Sequence, residues 1–109
     1  MKEDEIDVLV KYRLDQARES LSDAKFIFNG NRSPLGVINR SYYAVFYASL
    51  ALLQKTGKVP RKHSGVISLF DHEFVKQGIF PKQFSKILHP LFTARQVSDY
   101  HAMEPLGME

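Results

Sequence analysis

Residues 39–47 read Asn-Arg-Ser-Tyr-Tyr-Ala-Val-Phe-Tyr and lie within the most apolar run of the chain, from Leu35 to Leu53. Arg40 is the only charged residue of that run. A segment that is apolar on almost every side predicts a central helix enclosed by other helices. A guanidinium inside it needs a partner or a ligand, because burying an unpaired ion is strongly unfavourable. Arg40 is therefore the first candidate for a functional residue.

The chain as a whole has the size and composition of one globular domain, residues 1–109. It is 44% hydrophobic and 25% charged, and it has no cysteine, so disulfides are excluded. The acidic N-terminus lacks the basic and apolar segments of a signal peptide, so we expect a cytoplasmic protein. An arginine near the middle of the apolar run argues against a membrane span, and no membrane partner is expected.

Hydrophobic spacing predicts two long helices in the first half of the chain. The first covers about residues 5–29 and carries an apolar stripe at steps of three and four. The stripe consists of Val10, Leu14, Ala17, Leu21, Ala24 and Phe28. The second helix has Ser33 as its N-cap and Pro34 at its first position, and it ends near Thr56 before Gly57.

The second half of the chain predicts two further helices. A third, short segment runs from His63 to Gly78, and a fourth begins at Phe80-Pro81. Pro90 lies inside the fourth helix, so we expect a kink or a break near His89. No long stretch alternates with period two. The sequence therefore predicts an all-α, antiparallel up-and-down four-helix bundle with short connections.

Arg95 and Asp99 form a candidate charged cluster with Arg40. They are four residues apart on the fourth predicted helix and therefore share a face. Two interpretations stay open. One is a satisfied buried ion pair. The other is a phosphate site, because a guanidinium stays charged and presents a planar fork to phosphate oxygens.

His101 follows Arg95 by six positions, which turns the two side chains about 120° apart in a straight helix. They share a site only if the helix ends between them or a second subunit contributes. In such a site, a histidine supplies a general acid or base and an arginine stabilises charge on a transferring phosphoryl group. The alternative is an exposed histidine in a tail.

One dense basic patch surrounds the turn after the second helix. It consists of Lys55, Lys58, Arg61, Lys62 and His63. The patch is either a solvated loop or a polyanion site, and His63 either binds phosphate or caps the third helix. Tyr43 and Tyr47 share a helix face, either as core rings or as stacking platforms for bases. No ligand cluster or glycine-rich loop is visible, so neither a metal nor a cofactor is expected.

Several separated motifs together resemble the HEPN domain family, and most of all its small stand-alone prokaryotic members. In chain order they are Asn39 to Phe46, Lys62-His63, Phe74 to Gly78, and Arg95-Gln96-Val97-Ser98-Asp99-Tyr100. The likeness covers roughly residues 5–101. It implies a helical homodimer, encoded beside a minimal nucleotidyltransferase as a toxin–antitoxin pair.

The resemblance also implies a metal-independent endoribonuclease. Its motif is an arginine followed a few residues later by a histidine, here Arg95 and His101, with Asp99 as the polar residue beside the arginine. The RNA 2′-hydroxyl would attack the adjacent phosphate while His101 moves the proton and Arg95 stabilises the phosphorane. The residues expected to bind RNA or nucleotide are Arg40, Tyr43, Lys62, His63 and Tyr100.

A second function remains open at this stage. The usual last helix of the family has no counterpart in this sequence, so residues 102–109 are expected to form a tail. In that case the protein is a non-catalytic module that docks a partner nucleotidyltransferase, and Arg40 and Arg95 are structural. Cleavage of RNA separates the two functions.

Overall fold

The computed structural model describes the backbone of residues 3–103 and the side chains of residues 3–96. Residues 3–103 form four α-helices: α1 Glu3–Asn29, α2 Pro34–Thr56, α3 His63–Phe70 and α4 Lys82–Met103. A π-helical turn, Asp71–Val75, continues α3. The described residues contain no strand. The predicted all-α four-helix bundle is confirmed.

A short connection reverses the chain between α1 and α2. Asn31 has a φ of 57°, which asparagine tolerates better than most residues. Ser33 caps α2, because its Oγ accepts a hydrogen bond from the Gly36 N–H at 3.0 Å. Pro34 then opens the helix. Both the predicted N-cap and the predicted proline position are confirmed, and the two helices pack against each other along their lengths.

Helix α2 contacts α1, α3 and α4, so it occupies the centre of the bundle, as its apolar composition predicts. Its buried side chains join those of α3 and α4 in one cluster. The cluster consists of Tyr42, Phe46, Leu50, Leu53, Val66, Ile67, Phe70 and Leu88. Each large apolar side chain of this kind contributes roughly 1.5–3 kcal/mol on burial. Within residues 3–103, no helix combines the length and the hydropathy needed to cross a membrane.

The third helix begins at His63 as predicted, but its geometry changes after Phe70. The Lys76 N–H donates to the Asp71 carbonyl at 2.7 Å, a bond that spans five residues and is typical of a π turn. Gly78, with a φ of 82°, follows this turn in a conformation that favours glycine. The wider turn lies beside α4, where the Ser85 hydroxyl donates to the Asp71 carboxylate at 3.0 Å.

Helix α4 continues through Pro90 to Met103, so of the kink or break predicted near His89 the break is wrong, and the kink stays a prediction. Proline removes the backbone hydrogen bond to the Lys86 carbonyl, and its ring crowds that carbonyl. Leu88, only 1% exposed, anchors the adjacent turn in the core. Tertiary packing thus holds as one helix a segment that local propensity alone would interrupt.

The apolar stripe predicted for α1 is buried only in part. Ala17 and Ala24 are buried, whereas Leu21 and Phe28 are 46% and 70% exposed. Leu21 borders an open apolar groove between α1, α2 and α4. Phe28 lies in the last two residues of α1, where the chain turns toward α2. Helical spacing placed these side chains on one face correctly but did not show how far the other helices cover that face.

Candidate functional site

His63, the first residue of α3, lies on the aromatic side chains of α2. Its imidazole stacks on Phe46, with 4.1 Å between ring centres and 13° between the planes. It is also nearly parallel to the Tyr42 ring, at 5.9 Å and 14°. Tyr43 approaches the imidazole edge-on at 5.8 Å. These three rings fix the orientation of the imidazole.

The buried Tyr42 side chain forms a hydrogen bond with this imidazole. Its side chain is fully buried, and its hydroxyl lies 3.0 Å from Nδ1 of His63. A hydroxyl buried in this way needs a hydrogen-bond partner, because leaving it unpaired costs about 1–3 kcal/mol. The bond joins the middle of α2 to the start of α3. Tyr42 is therefore the buried ring of this tyrosine run, whereas Tyr43 and Tyr47, for which the sequence left core and stacking roles open, are partly buried and pack against the core.

Arg95 reaches the same nitrogen from α4. Its Nη2 lies 3.2 Å from Nδ1 of His63. Its guanidinium lies over the rings of Tyr42 and Phe92, at 4.9 and 5.2 Å from their centres. A guanidinium only donates hydrogen bonds, so Nδ1 accepts and carries no proton in this arrangement. The result is a planar cation held between aromatic faces and a neutral imidazole nitrogen, which suits the recognition of a phosphate.

Arg40 occupies a different place from the one predicted. It is half-buried, and its Nε and Nη2 donate to Oδ1 of the neighbouring Asn39 at 3.0 and 2.8 Å. Its guanidinium lies 5.3 Å from the centre of the Tyr43 ring. A position in the middle of the core was wrong, because α2 leaves one side near its start uncovered. Arg40 and Arg95 thus flank one aromatic cluster, each against a different ring.

Three predicted site residues, Asp99, Tyr100 and His101, lie outside the described side chains. Their backbone belongs to α4, which continues to Met103. Positions 95 and 101 are therefore on one unbroken helix, rotated by about 120° and separated by about 9 Å along its axis. These positions could share a site if the helix ended between them or if a second subunit contributed. The helix does not end between them.

The predicted basic patch is less concentrated than its sequence indicates. Lys55 pairs with Asp7 of α1 at 2.9 Å, and Lys58 pairs with Glu73 of the π turn at 3.4 Å. Lys62 is exposed at the N-cap of α3 and makes no capping bond through its side chain. The turn therefore brings His63 to the site and leaves Lys62 on the surface beside it.

Sequence reasoning missed Tyr42, Phe46 and Phe92 as parts of the site. Tyr42 and Phe46 are four residues apart on α2, so helical spacing could have shown that they share a face. Nothing local indicates that His63 and Arg95, which are 32 residues apart, meet at one nitrogen. That contact depends on the way α3 and α4 both pack against α2.

Comparison with known proteins identifies the family of the chain. The HEPN domain model matches residues 10–107. A UPF0332 protein of Thermotoga maritima is 40% identical over 92 residues, which cover 84% of this chain and 69% of that protein. A protein of Methanocaldococcus jannaschii named "Putative toxin" is 33% identical over 96 residues, covering 88% of this chain and 71% of that protein.

A second Methanocaldococcus jannaschii protein with the name "Putative toxin" is 32% identical over 89 residues, covering 82% of this chain and 60% of that protein. No solved structure matches the chain. The family model spans nearly the whole sequence, and it includes the α2 stretch, His63 and Arg95. The chain belongs to the HEPN domain family.

Proposed function

We propose that this protein binds RNA and cleaves it without a metal, as the toxin of a HEPN/nucleotidyltransferase toxin–antitoxin pair. The observation that carries the proposal is the placement of Arg95, whose guanidinium is held by His63 and stacked on two rings. A cation fixed in this way is preorganised to stabilise charge that develops on a phosphate. The two archaeal relatives named "Putative toxin" support the toxin role.

The proposed reaction is transesterification within the RNA. The 2′-oxygen attacks the adjacent phosphorus, and the bond from phosphorus to the 5′-oxygen of the next nucleotide breaks. The products are a 2′,3′-cyclic phosphate and a free 5′-hydroxyl. His101 takes the proton from the 2′-hydroxyl, and a proton is returned to the leaving oxygen. Arg95 stabilises the phosphorane, and Asp99 is the polar residue beside it.

The geometry of α4 supports a homodimer as part of this proposal. Positions 95 and 101 are rotated by about 120° on one continuous helix, so within one chain the two positions do not share a face. Two copies related by a twofold axis can bring Arg95 of one chain toward His101 of the other. Each of the two composite sites would then draw on both chains.

The first test is cleavage of a mixed RNA substrate in EDTA by the wild type, Arg95→Ala and His101→Ala, with no partner protein. We expect cyclic-phosphate ends from the wild type and none from either variant. A well-folded dimeric wild type that leaves the RNA intact would overturn the ribonuclease proposal. Circular dichroism of all three proteins serves as the folding control.

Mixing the two inactive variants tests the composite site directly. After subunit exchange in an equal mixture, about half of the dimers are mixed, and one of the two sites in each has both wild-type residues. We expect the mixture to recover about a quarter of the wild-type rate. Exchange that is demonstrated by mass spectrometry but recovers no cleavage would contradict the shared site.

The second candidate is a module that docks a nucleotidyltransferase without cleaving RNA. One observation favours it: Ile79, Phe84 and Ile87, at and near the start of α4, are large apolar side chains exposed to solvent. Such side chains are typical of the apolar centre of a protein interface. Co-purification with a minimal nucleotidyltransferase that is lost in Ile87→Asp, together with an inactive but folded wild type, would favour this function.

A further inference from the structure

A groove separates α3 and its π turn from α4. It encloses about 830 Å³ and is open to solvent along its length. Its apolar lining includes Ile67, Val75 and Phe92. Pockets of several hundred Å³ with an apolar floor and a few polar groups are typical ligand sites.

The charges along this groove are mainly positive. Lys76, Lys82 and Lys86 line it. Among residues 3–96, none of these three lysines forms an ion pair with a carboxylate. Lys82 and Lys86 are four residues apart on α4, so they share a face and are separated by about 6 Å along the helix axis.

Among residues 3–96, Asp71 is the only carboxylate that lines the groove, and it already has partners within the protein. Asp71 accepts a hydrogen bond from the Ser85 hydroxyl at 3.0 Å through one oxygen. Its other oxygen contacts Nε2 of His89. Both oxygens of Asp71 therefore have partners within the protein, and three lysines stand against this one carboxylate among the described lining residues. The lysines therefore dominate the field in the groove.

The groove also leads to the site described above. Phe92 lines its end, and the Arg95 guanidinium lies 5.2 Å from the centre of the same ring. Ser64, which follows His63 in α3, lines the opposite wall. A ligand that follows the groove past Phe92 thus arrives next to Arg95.

We propose that this groove binds the phosphodiester backbone of a single-stranded RNA, which it guides to Arg95. A row of cations favours a ligand with repeated phosphates, and the apolar floor accommodates unpaired bases or riboses. The assignment rests on the proposed function for the role of Arg95, but binding in the groove does not require cleavage. It gives the substrate class as an extended single strand with phosphates on several successive nucleotides.

The test measures binding of a short, fluorescent 2′-O-methyl RNA, which lacks the attacking hydroxyl and is not cleaved. The Lys82→Ala/Lys86→Ala variant is compared with the wild type by anisotropy between about 50 and 200 mM NaCl. The matched control is Lys11→Ala/Lys25→Ala, which removes the same charge from the exposed surface of α1. Circular dichroism checks that each variant is folded.

We expect the groove variant to bind about tenfold more weakly than the control. The slope of log Kd against log salt should fall by about 1.4, because each lost single-strand phosphate contact removes about 0.7. Equal affinity and equal slope in the two double variants would overturn the proposal. Poly-glutamate that competes as strongly as RNA would overturn the assignment to an RNA strand. A loss of AMP binding in the groove variant as large as its loss of RNA binding would also overturn it.

Failure of this inference is distinguishable from failure of the ribonuclease proposal. If the wild type cleaves RNA but the groove variant binds RNA like the control, the groove has no part in the mechanism. The ribonuclease proposal then still stands. If binding depends on the groove lysines but the wild type cleaves no RNA, the ribonuclease proposal fails and the groove proposal stands. That result supports an RNA-binding groove in a protein without nuclease activity.

Discussion

Replacing Tyr42 with phenylalanine tests whether the core holds the imidazole at the site. The substitution removes one hydroxyl, 3.0 Å from Nδ1 of His63, and keeps the fully buried ring. A neutral hydrogen bond contributes about 0.5–1.5 kcal/mol. Because Arg95 donates to the same nitrogen at 3.2 Å, Nδ1 keeps a partner in the variant. We therefore expect Tyr42→Phe to lower the free energy of unfolding by about 1 kcal/mol.

A double-mutant cycle isolates this bond from everything else that the two residues contact. His63→Phe keeps an aromatic ring against Phe46 but removes Nδ1, so it is a suitable second change. We expect a coupling of about 0.5–1.5 kcal/mol between positions 42 and 63. In an Arg95→Met background the coupling should be larger, because one fewer donor then competes for the single lone pair of Nδ1.

Urea unfolding followed by far-UV circular dichroism gives the free energies, provided that the m-values stay constant. In thermal unfolding, a loss of 1 kcal/mol corresponds to about 4–8 °C in Tm for a domain of roughly this size. A coupling below about 0.3 kcal/mol in both backgrounds lies within the additivity expected of independent sites. That result would refute a Tyr42–His63 bond in solution and, with it, the fixed imidazole.

Three further substitutions test the fold around the site. Ser33→Ala removes the N-cap acceptor and should lower the free energy of unfolding by about 1 kcal/mol. Ser33→Asn keeps an acceptor and tolerates the φ of 30°, so urea unfolding should show a smaller loss. Arg40→Ala should cost about 1 kcal/mol, and a loss of several kcal/mol would restore the core position that the sequence predicted. Leu88→Ala should cost about 2–5 kcal/mol, while Ile87→Ala, at a site 62% exposed, should stay within about 0.5 kcal/mol; equal Tm values for the two would contradict the packing of α4.

The helices could be predicted because their signals are local. Periodic apolar residues, a serine–proline start and glycines after helix ends act within a few residues of the structure that they determine. The continuation of α4 through Pro90 could not be predicted in this way, because packing around Leu88 holds the helix together there. The π turn after Phe70 was missed for a related reason. Its spacing differs from that of an α-helix by one residue over a single short turn.

The site was predicted by residue type and only partly by geometry. The sequence predicts that a guanidinium lies next to aromatic residues and that His63 starts a helix. It does not predict which guanidinium contacts the histidine, because Arg40 and Arg95 looked equivalent in that pattern. The difference arises from packing: α3 and α4 cover the side of α2 that carries Tyr42, and they leave Arg40 half-exposed. Long-range burial of this kind leaves no local signal.

Two histidines are candidates for the proton transfer, and we propose different roles for them. His63 lies beside Arg95 in the same chain, but its Nδ1 accepts from Arg95 and contacts the Tyr42 hydroxyl, so we propose that it is a positioning residue. His101 remains the proposed acid–base group. His63→Gln keeps an acceptor for Arg95, so we expect reduced cleavage with an unchanged pH profile, whereas His101→Ala abolishes cleavage. Complete loss of cleavage in His63→Gln, with normal RNA binding and a native circular dichroism spectrum, would show that His63 is the acid–base group. The site would then not need a second chain.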